Sequence, residues 1–171
     1  NDGVLDTADA FALFSLGSLT DTDGDGRPND CDSDCQALGM TADTDDDNDG
    51  VLDTNDTYPL ISLGGLTDTD GDGRPNDCDT NCEAVGMTVD ADDDNDGVSD
   101  TEEATNGTNP LLVDTDGDGD NDNADNCALV ANADQLNTDG DAFGDACDAD
   151  DDGDGVSDTE EATNGTNPLL V

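Results

Sequence analysis

DTDGDGDNDNAD, residues 114–125, sets acids at places 1, 3, 5 and 12 of a twelve-residue frame and Gly at place 6. This is the ligand spacing of an EF-hand-type calcium loop: side-chain oxygens at 1, 3 and 5, a backbone carbonyl at 7 and a bidentate carboxylate at 12. Gly at 6 permits the sharp turn that wraps the chain around an ion. Here the ligands are Asp114, Asp116, Asp118 and Asp125, with the carbonyl of Asp120.

The frame recurs on both sides. Complete copies start at Asp21, Asp45, Asp68, Asp92, Asp114, Asn137 and Asp150, spaced by 24, 23, 24, 22, 23 and 13 residues. The first offers Asp21, Asp23, Asp25, the carbonyl of Arg27, and Asp32; the second Asp45, Asp47, Asp49, Val51 and Asp56. The third offers Asp68, Asp70, Asp72, Arg74 and Asp79, and the fourth Asp92, Asp94, Asp96, Val98 and Glu103. The sixth, with Asn137, Asp139, Asp141, Phe143 and Asp148, departs by carrying Asn at place 1 and Ala142 at place 6, and is expected to be the weakest alone. The seventh restores the pattern with Asp150, Asp152, Asp154, Val156 and Glu161. Asp2, Gly3 and Asp9 fill places 5, 6 and 12 of an eighth, truncated copy, which leads us to expect the array to continue upstream. One match is a weak signal; seven in one register are not an accident. Magnesium, which demands tight octahedral geometry, and zinc, which wants His or thiolate, fit the frame less well than calcium.

Longer repeats contain these frames. NDGVLDT (1–7) returns at 48–54 and nearly so at 95–101, a period of 47, and GVSDTEEATNGTNPLLV (97–113) returns letter for letter at 155–171. We therefore expect repeat units at 1–47, 48–94 and 95–171, the last holding a long and a short motif. NPLLV is followed by Asp114 in its first occurrence, so the array is expected to continue downstream as well.

Composition agrees. The 171 residues hold 48 acids, five of them Glu, against two Arg and no Lys, for a formal charge of −46, and only four aromatic residues. Two carboxylates ~4 Å apart repel by about 1 kcal/mol in water and about 4 at a protein surface, so a polyvalent counter-cation is expected. An acidic disordered tail would be Glu-rich and aperiodic, which this chain is not. The charge excludes nucleic acid and anionic membranes as partners. No apolar run approaches the ~20 residues of a membrane span and no leader is evident, so a mature, soluble segment is expected. Regular structure should be scarce, because Asp, Asn and Gly favour turns. Short helical turns are expected near residues 34–38, 82–85 and 102–105, with isolated bridges at most.

Six cysteines allow fifteen pairings, of which nearest-neighbour pairing is the simplest: Cys31 with Cys35, Cys78 with Cys82, and Cys127 with Cys147. The first two pairs span one helical turn, and the third closes a loop of about 20 residues, worth on the order of 3 kcal/mol. A zinc site is the alternative, against which the absence of His counts. Apolar residues concentrate at Phe11, Leu13, Phe14, Leu16 and Leu19, and at Tyr58, Leu60, Ile61, Leu63 and Leu66. Either each spacer folds back over a neighbouring loop, or it leaves a patch for another copy of the chain to build a fibre.

The flanking amphipathic helices of a true EF-hand are missing. DTDGDGDNDNADNC (114–127) followed by NADQLNTDGDAFGDACDADDDGDG (132–155) instead resembles the thrombospondin type 3 repeat, with its alternating long and short motifs. The 47-residue units look like a bacterial surface-protein variant in which DCDSDCQALGM (30–40) and DCDTNCEAVGM (77–87) replace the longer Cys-bearing linker. The resemblance implies an irregular, elongated, disulfide-pinned array in which the chain wraps a string of calcium ions, commonly two per repeat, and metal replaces the apolar core. It implies that Asp30, Asp53, Asp77, Asp100, Asp122, Asp145 and Asp158 help bridge to second ions, and it matches the Cys127–Cys147 bridge to one of the family's own. The expected role is a stalk, spacer or fibre-forming segment of a secreted or cell-surface protein, rigidified by multiple Ca2+ and open to self-association. The alternative is an adhesin segment binding a partner surface. With no His, no Lys and many equivalent Asp residues, no catalytic constellation is present.

Overall fold

A computed structural model of the chain describes Phe11 and residues 16–170. Asp2, Asp9, Leu13 and Phe14 lie outside the described residues. Four short helices are present among them: α1 (Ser33–Ala37), α2 (Thr80–Val85), α3 (Asp100–Asn106) and α4 (Asp158–Asn164). Neither strands nor isolated bridges occur among the described residues, and everything else is turn and loop. The chain divides into two compact units, Asn1–Asp90 and Ala91–Val171, the first holding loops one to three and the second loops four to seven.

Each helix starts at an acceptor that satisfies its first free N–H groups. Asp32 caps α1 by accepting from the N–H of Asp34 and Cys35, and Asp79 caps α2 by accepting from Asn81 and Cys82. Ser99 caps α3 in a reciprocal capping box with Glu102, and Ser157 caps α4. Gly86, Gly107 and Gly165 end α2, α3 and α4 in the left-handed region, where a Cβ would be strained.

In the first unit, disulfides Cys31–Cys35 and Cys78–Cys82 straddle the starts of α1 and α2, with Cα separations of 5.3 and 5.4 Å. The apolar spacers fold back onto these bridges. Leu16, Cys35 and Met40 form one small core flanked by Phe11, Leu19 and Cys31; Leu63, Cys82 and Met87 form a second, flanked by Val51, Tyr58 and Ile61. Pro28 and Pro75 are fully buried, and their carbonyls accept from the N–H of Asp43 and Asp90, which fastens each DG-R-P loop to the segment leading into the next loop.

In the second unit, Cys127–Cys147 closes a 20-residue span, and Cys127 is its one buried apolar residue among those described. Asn126 is the polar hub of this unit. Its N–H donates to Gln135 Oε1, its amide nitrogen to the Gln135 carbonyl, and its Oδ1 accepts from Asn132. Apart from Gly144, what is otherwise buried here among the described residues is acidic: Asp93, Asp94, Asp96, Glu103, Asp152 and Glu161.

Candidate metal centre

All seven loops share one scaffold of hydrogen bonds. The N–H at place 5 donates to the place-3 carboxylate at 2.9–3.2 Å, and the N–H at place 7 donates to the place-5 carboxylate at 2.7–2.9 Å. A clasp at place 9 closes the turn: the side chain of Asn29, Asp53, Asn76, Asp100, Asp122, Asp145 or Asp158 accepts from the N–H at place 2 at 2.7–3.1 Å. The same residue donates its own N–H to the carbonyl just before the loop. These bonds occupy one oxygen of each place-3 carboxylate, and in loops one, two, four, five and seven the other oxygen is buried. Place 4 is left-handed in every loop, filled by Gly24, Asn48, Gly71, Asn95, Gly117, Gly140 and Gly153. Asn tolerates this region better than other non-glycine residues, and DDDND and DTDGD therefore reach one geometry.

Carboxylate oxygens of Asp21, Asp23 and Asp25 lie within 4.8 Å of one another, as do those of Asp45, Asp47 and Asp49, of Asp68, Asp70 and Asp72, of Asp92, Asp94 and Asp96, and of Asp114, Asp116 and Asp118. The second oxygens are buried without a hydrogen-bond donor: Oδ2 of Asp23, Asp47, Asp94, Asp116 and Asp152 at place 3, and Oδ2 of Asp125 and Oε2 of Glu161 at place 12. Glu103 is 0 % exposed, and neither of its oxygens is bonded. The two Arg residues do not answer this need, because each pairs at 3.7 Å within its own loop, Arg27 with Asp25 and Arg74 with Asp72.

Burial first, and neighbouring carboxylates second, push these acids up. Asp47 rises to about 6 with Asp49 beside it, and Asp70 to about 6 with Asp72 beside it. Glu103 rises to about 7 against Asp94 and Asp96, with the Thr108 hydroxyl opposing the shift from outside bonding geometry. Leaving several ionised carboxylates buried and unpaired costs several kcal/mol each in order-of-magnitude terms. The residues fit a hard divalent cation: the converging atoms are all oxygens, several are buried and unpartnered, and every cysteine is in a disulfide.

Place 12 takes three different forms. Asp56 faces Asp45 and Asp49, Asp125 faces Asp116, Glu103 faces Asp94 and Asp96, and Glu161 faces Asp152 and Asp154. Asp32 and Asp79 are exposed and held as helix caps by two N–H groups each, which for Asp79 lowers its pKa. Near those loops stand acids that frame spacing does not find: Asp43 beside Asp25, and Asp90 beside Asp70. Asp148 accepts from Ala149 and Asp150 and faces Asp151, whose pKa rises to about 6 through burial and through Asp158, Asp145 and Asp148. Place-2 acids Asp46 and Asp151 also carry a buried oxygen without a donor, and only the DDD loops possess them. The D-D-D triplet is the sequence signal for that extra oxygen.

Loop six departs in structure as in sequence. Asn137 turns its amide nitrogen to the Asp141 carbonyl at 3.1 Å, and Asp139 and Asp141 are exposed. In the other loops the Gly N–H at place 6 donates to place 1, as Gly26 does to Asp21; Ala142 lacks the left-handed backbone found at those glycines.

No curated protein matches the chain. The family described as bacterial TSP3 repeat matches residues 92–112 and 150–170, and the thrombospondin type 3 repeat family matches residues 113–135. Each matched segment contains one complete loop, the fourth, the seventh and the fifth. Residues 92–135 and 150–170 thus match thrombospondin type 3 repeat families, which implies a calcium-binding repeat, and the scarcity of regular structure, the three disulfides and the seven copies of one acidic loop support a thrombospondin type 3 repeat array.

Proposed function

We propose that the array is a structural segment, a stalk, spacer or fibre-forming element of a secreted or cell-surface protein, stiffened by several calcium ions. The observation that carries this reading is the row of buried carboxylate oxygens without donors at places 3 and 12. Bound calcium supplies positive charge and up to eight coordination positions for such oxygens. The chain's own contribution is to hold the oxygens in place. The place-9 clasp fixes each turn, and the N–H groups at places 5 and 7 orient the place-3 and place-5 carboxylates. In loops two, four, five and seven the place-12 acid closes the ring; in loops one and three Asp43 and Asp90 stand nearest to that task. Place-7 residues Arg27, Val51, Arg74, Val98, Asp120, Phe143 and Val156 have only a carbonyl to offer.

An extracellular setting suits both the disulfides and sites of this acidity, which fill at millimolar calcium. No described helix is long and apolar enough to cross a membrane. The test is calcium titration of the full chain by calorimetry beside a variant carrying Asp70→Ala and Asp72→Ala. The variant is expected to bind fewer ions; an unchanged ion count would overturn the assignment.

A further inference from the structure

In five of the seven loops one backbone bond marks the closing acid. The N–H of Asp56, Glu103, Asp125, Asp148 or Glu161, each at place 12, donates to the place-8 carbonyl of its own loop at 2.9–3.0 Å. Where that acid is Glu103 or Glu161, it is 0 % or 3 % exposed and carries an oxygen without a donor. Loops one and three make the same bond with another residue. The carbonyls of Pro28 and Pro75, at place 8, accept from the N–H of Asp43 and Asp90 at 2.9 Å, and each of these acids stands eleven residues beyond the frame's own place 12. The local turn agrees, because Asp43 Oδ1 accepts from the N–H groups of Thr44 and Asp45 as Asp148 Oδ1 accepts from those of Ala149 and Asp150.

The intervening residues form a fastened insert. Asp32 and Asp79 open it as exposed helix caps, and the Cys31–Cys35 and Cys78–Cys82 bridges tie its root at place 11. The N–H groups of Met40 and Met87 donate back to the carbonyls of Cys35 and Cys82 at 3.3 Å, and both methionines are buried with those cysteines and with Leu16 or Leu63. The path from place 11 to Asp43 or Asp90 therefore runs through a bridge and an apolar cluster rather than through a free chain.

Resting on the calcium reading above, we infer that loops one and three are split calcium loops: Asp43 and Asp90 supply the closing carboxylate from beyond the insert, and the bridge at its root positions that carboxylate and so sets how tightly the ion is held. Asp32 and Asp79 stay outside the coordination. Opening the bridge leaves every ligand in the chain but adds the entropy of closing a longer free segment, so affinity falls while the number of sites stays the same.

The test is equilibrium dialysis of the full chain against a range of free calcium, which counts the ions and ranks their affinities. Asp90→Asn is expected to weaken one ion by about tenfold or more, and Asp79→Asn to weaken none. Added to Asp70→Ala and Asp72→Ala, Asp90→Asn should cost no second ion, which places its effect in loop three. Cys78→Ser with Cys82→Ser should weaken that same ion by about tenfold and add little to Asp90→Asn, a non-additivity that general destabilisation does not produce. Split loops are ruled out if Asp79→Asn weakens an ion, if the cysteine variant leaves all affinities unchanged, or if Asp90→Asn weakens none while Asp70→Ala with Asp72→Ala does. If that last pair also changes nothing, the calcium reading itself falls, and the split loops with it.

Discussion

Glu103 is fully buried with both oxygens unbonded, and burial together with Asp94 and Asp96 pushes its pKa to about 7. A carboxyl whose folded pKa lies above its ordinary 4.5 stabilises the metal-free fold when protonated. That contribution is whole below the ordinary value and is lost as pH rises through about 7. Calcium must displace the proton, so affinity should fall as pH drops from 8 to 6, and binding at pH 6 should release protons that binding at pH 9 does not. Calorimetry in two buffers of different ionisation enthalpy measures this. Glu103→Gln should lower the thermal midpoint of the calcium-loaded chain at pH 8 and reduce the protons released on binding at pH 6. The pairing of Glu103 with Asp94 and Asp96 is legible in the twelve-residue spacing, but its burial is not, because burial, shared by the equivalent Glu161, arises only once the loop and the helix that follows it are folded.

At the scale of elements, one spacing serves two purposes. Place-12 Asp79 precedes a helical turn begun beside the Cys78–Cys82 bridge, and two helix N–H groups take its carboxylate; Asp56 has no helix after it and stays with its loop. Asp79→Ala should therefore lower the thermal midpoint as a lost cap without changing the ion count. Asp56→Ala should remove a calcium ion, and it sits so close to Gly73 of the next loop that loop three should loosen with it. Thermal melts and calorimetry on the two variants separate the roles. Frame spacing alone treats Asp79 and Asp56 alike; the D-C-D that follows Asn76, absent around Asp56, is the local signal that a cap is in play. The helical turns at 34–38, 82–85 and 102–105 are legible from such signals, and α4 follows from the letter-for-letter repeat of α3. Asp43 and Asp90 are not, because they approach loops one and three only through backbone bonds to the buried Pro28 and Pro75. Replacing Cys127 and Cys147 together by Ser should cost on the order of 3 kcal/mol of calcium-loaded stability by loop entropy, read from denaturant unfolding.

Over the whole molecule the formal charge is −46, and among the described residues it meets two small apolar clusters, both in the first unit, and the Cys127–Cys147 bridge in the second. Such cores are slight against conformational entropy and carboxylate repulsion, and the proposed function therefore couples folding to cation binding. The array register, the acidic loops and the want of a core are all legible in the sequence because they depend on composition and period. Which acid faces which loop depends on packing between loops, and spacing does not show that Asp32 and Asp79 cap helices. The most direct test is small-angle scattering of the full chain at neutral pH, disulfides intact, in millimolar calcium, after chelation, and after calcium is restored. The account predicts that chelation swells the chain toward the dimensions of a disordered polymer and that calcium, but not the same concentration of magnesium, returns it. Superimposable scattering with and without calcium would contradict it.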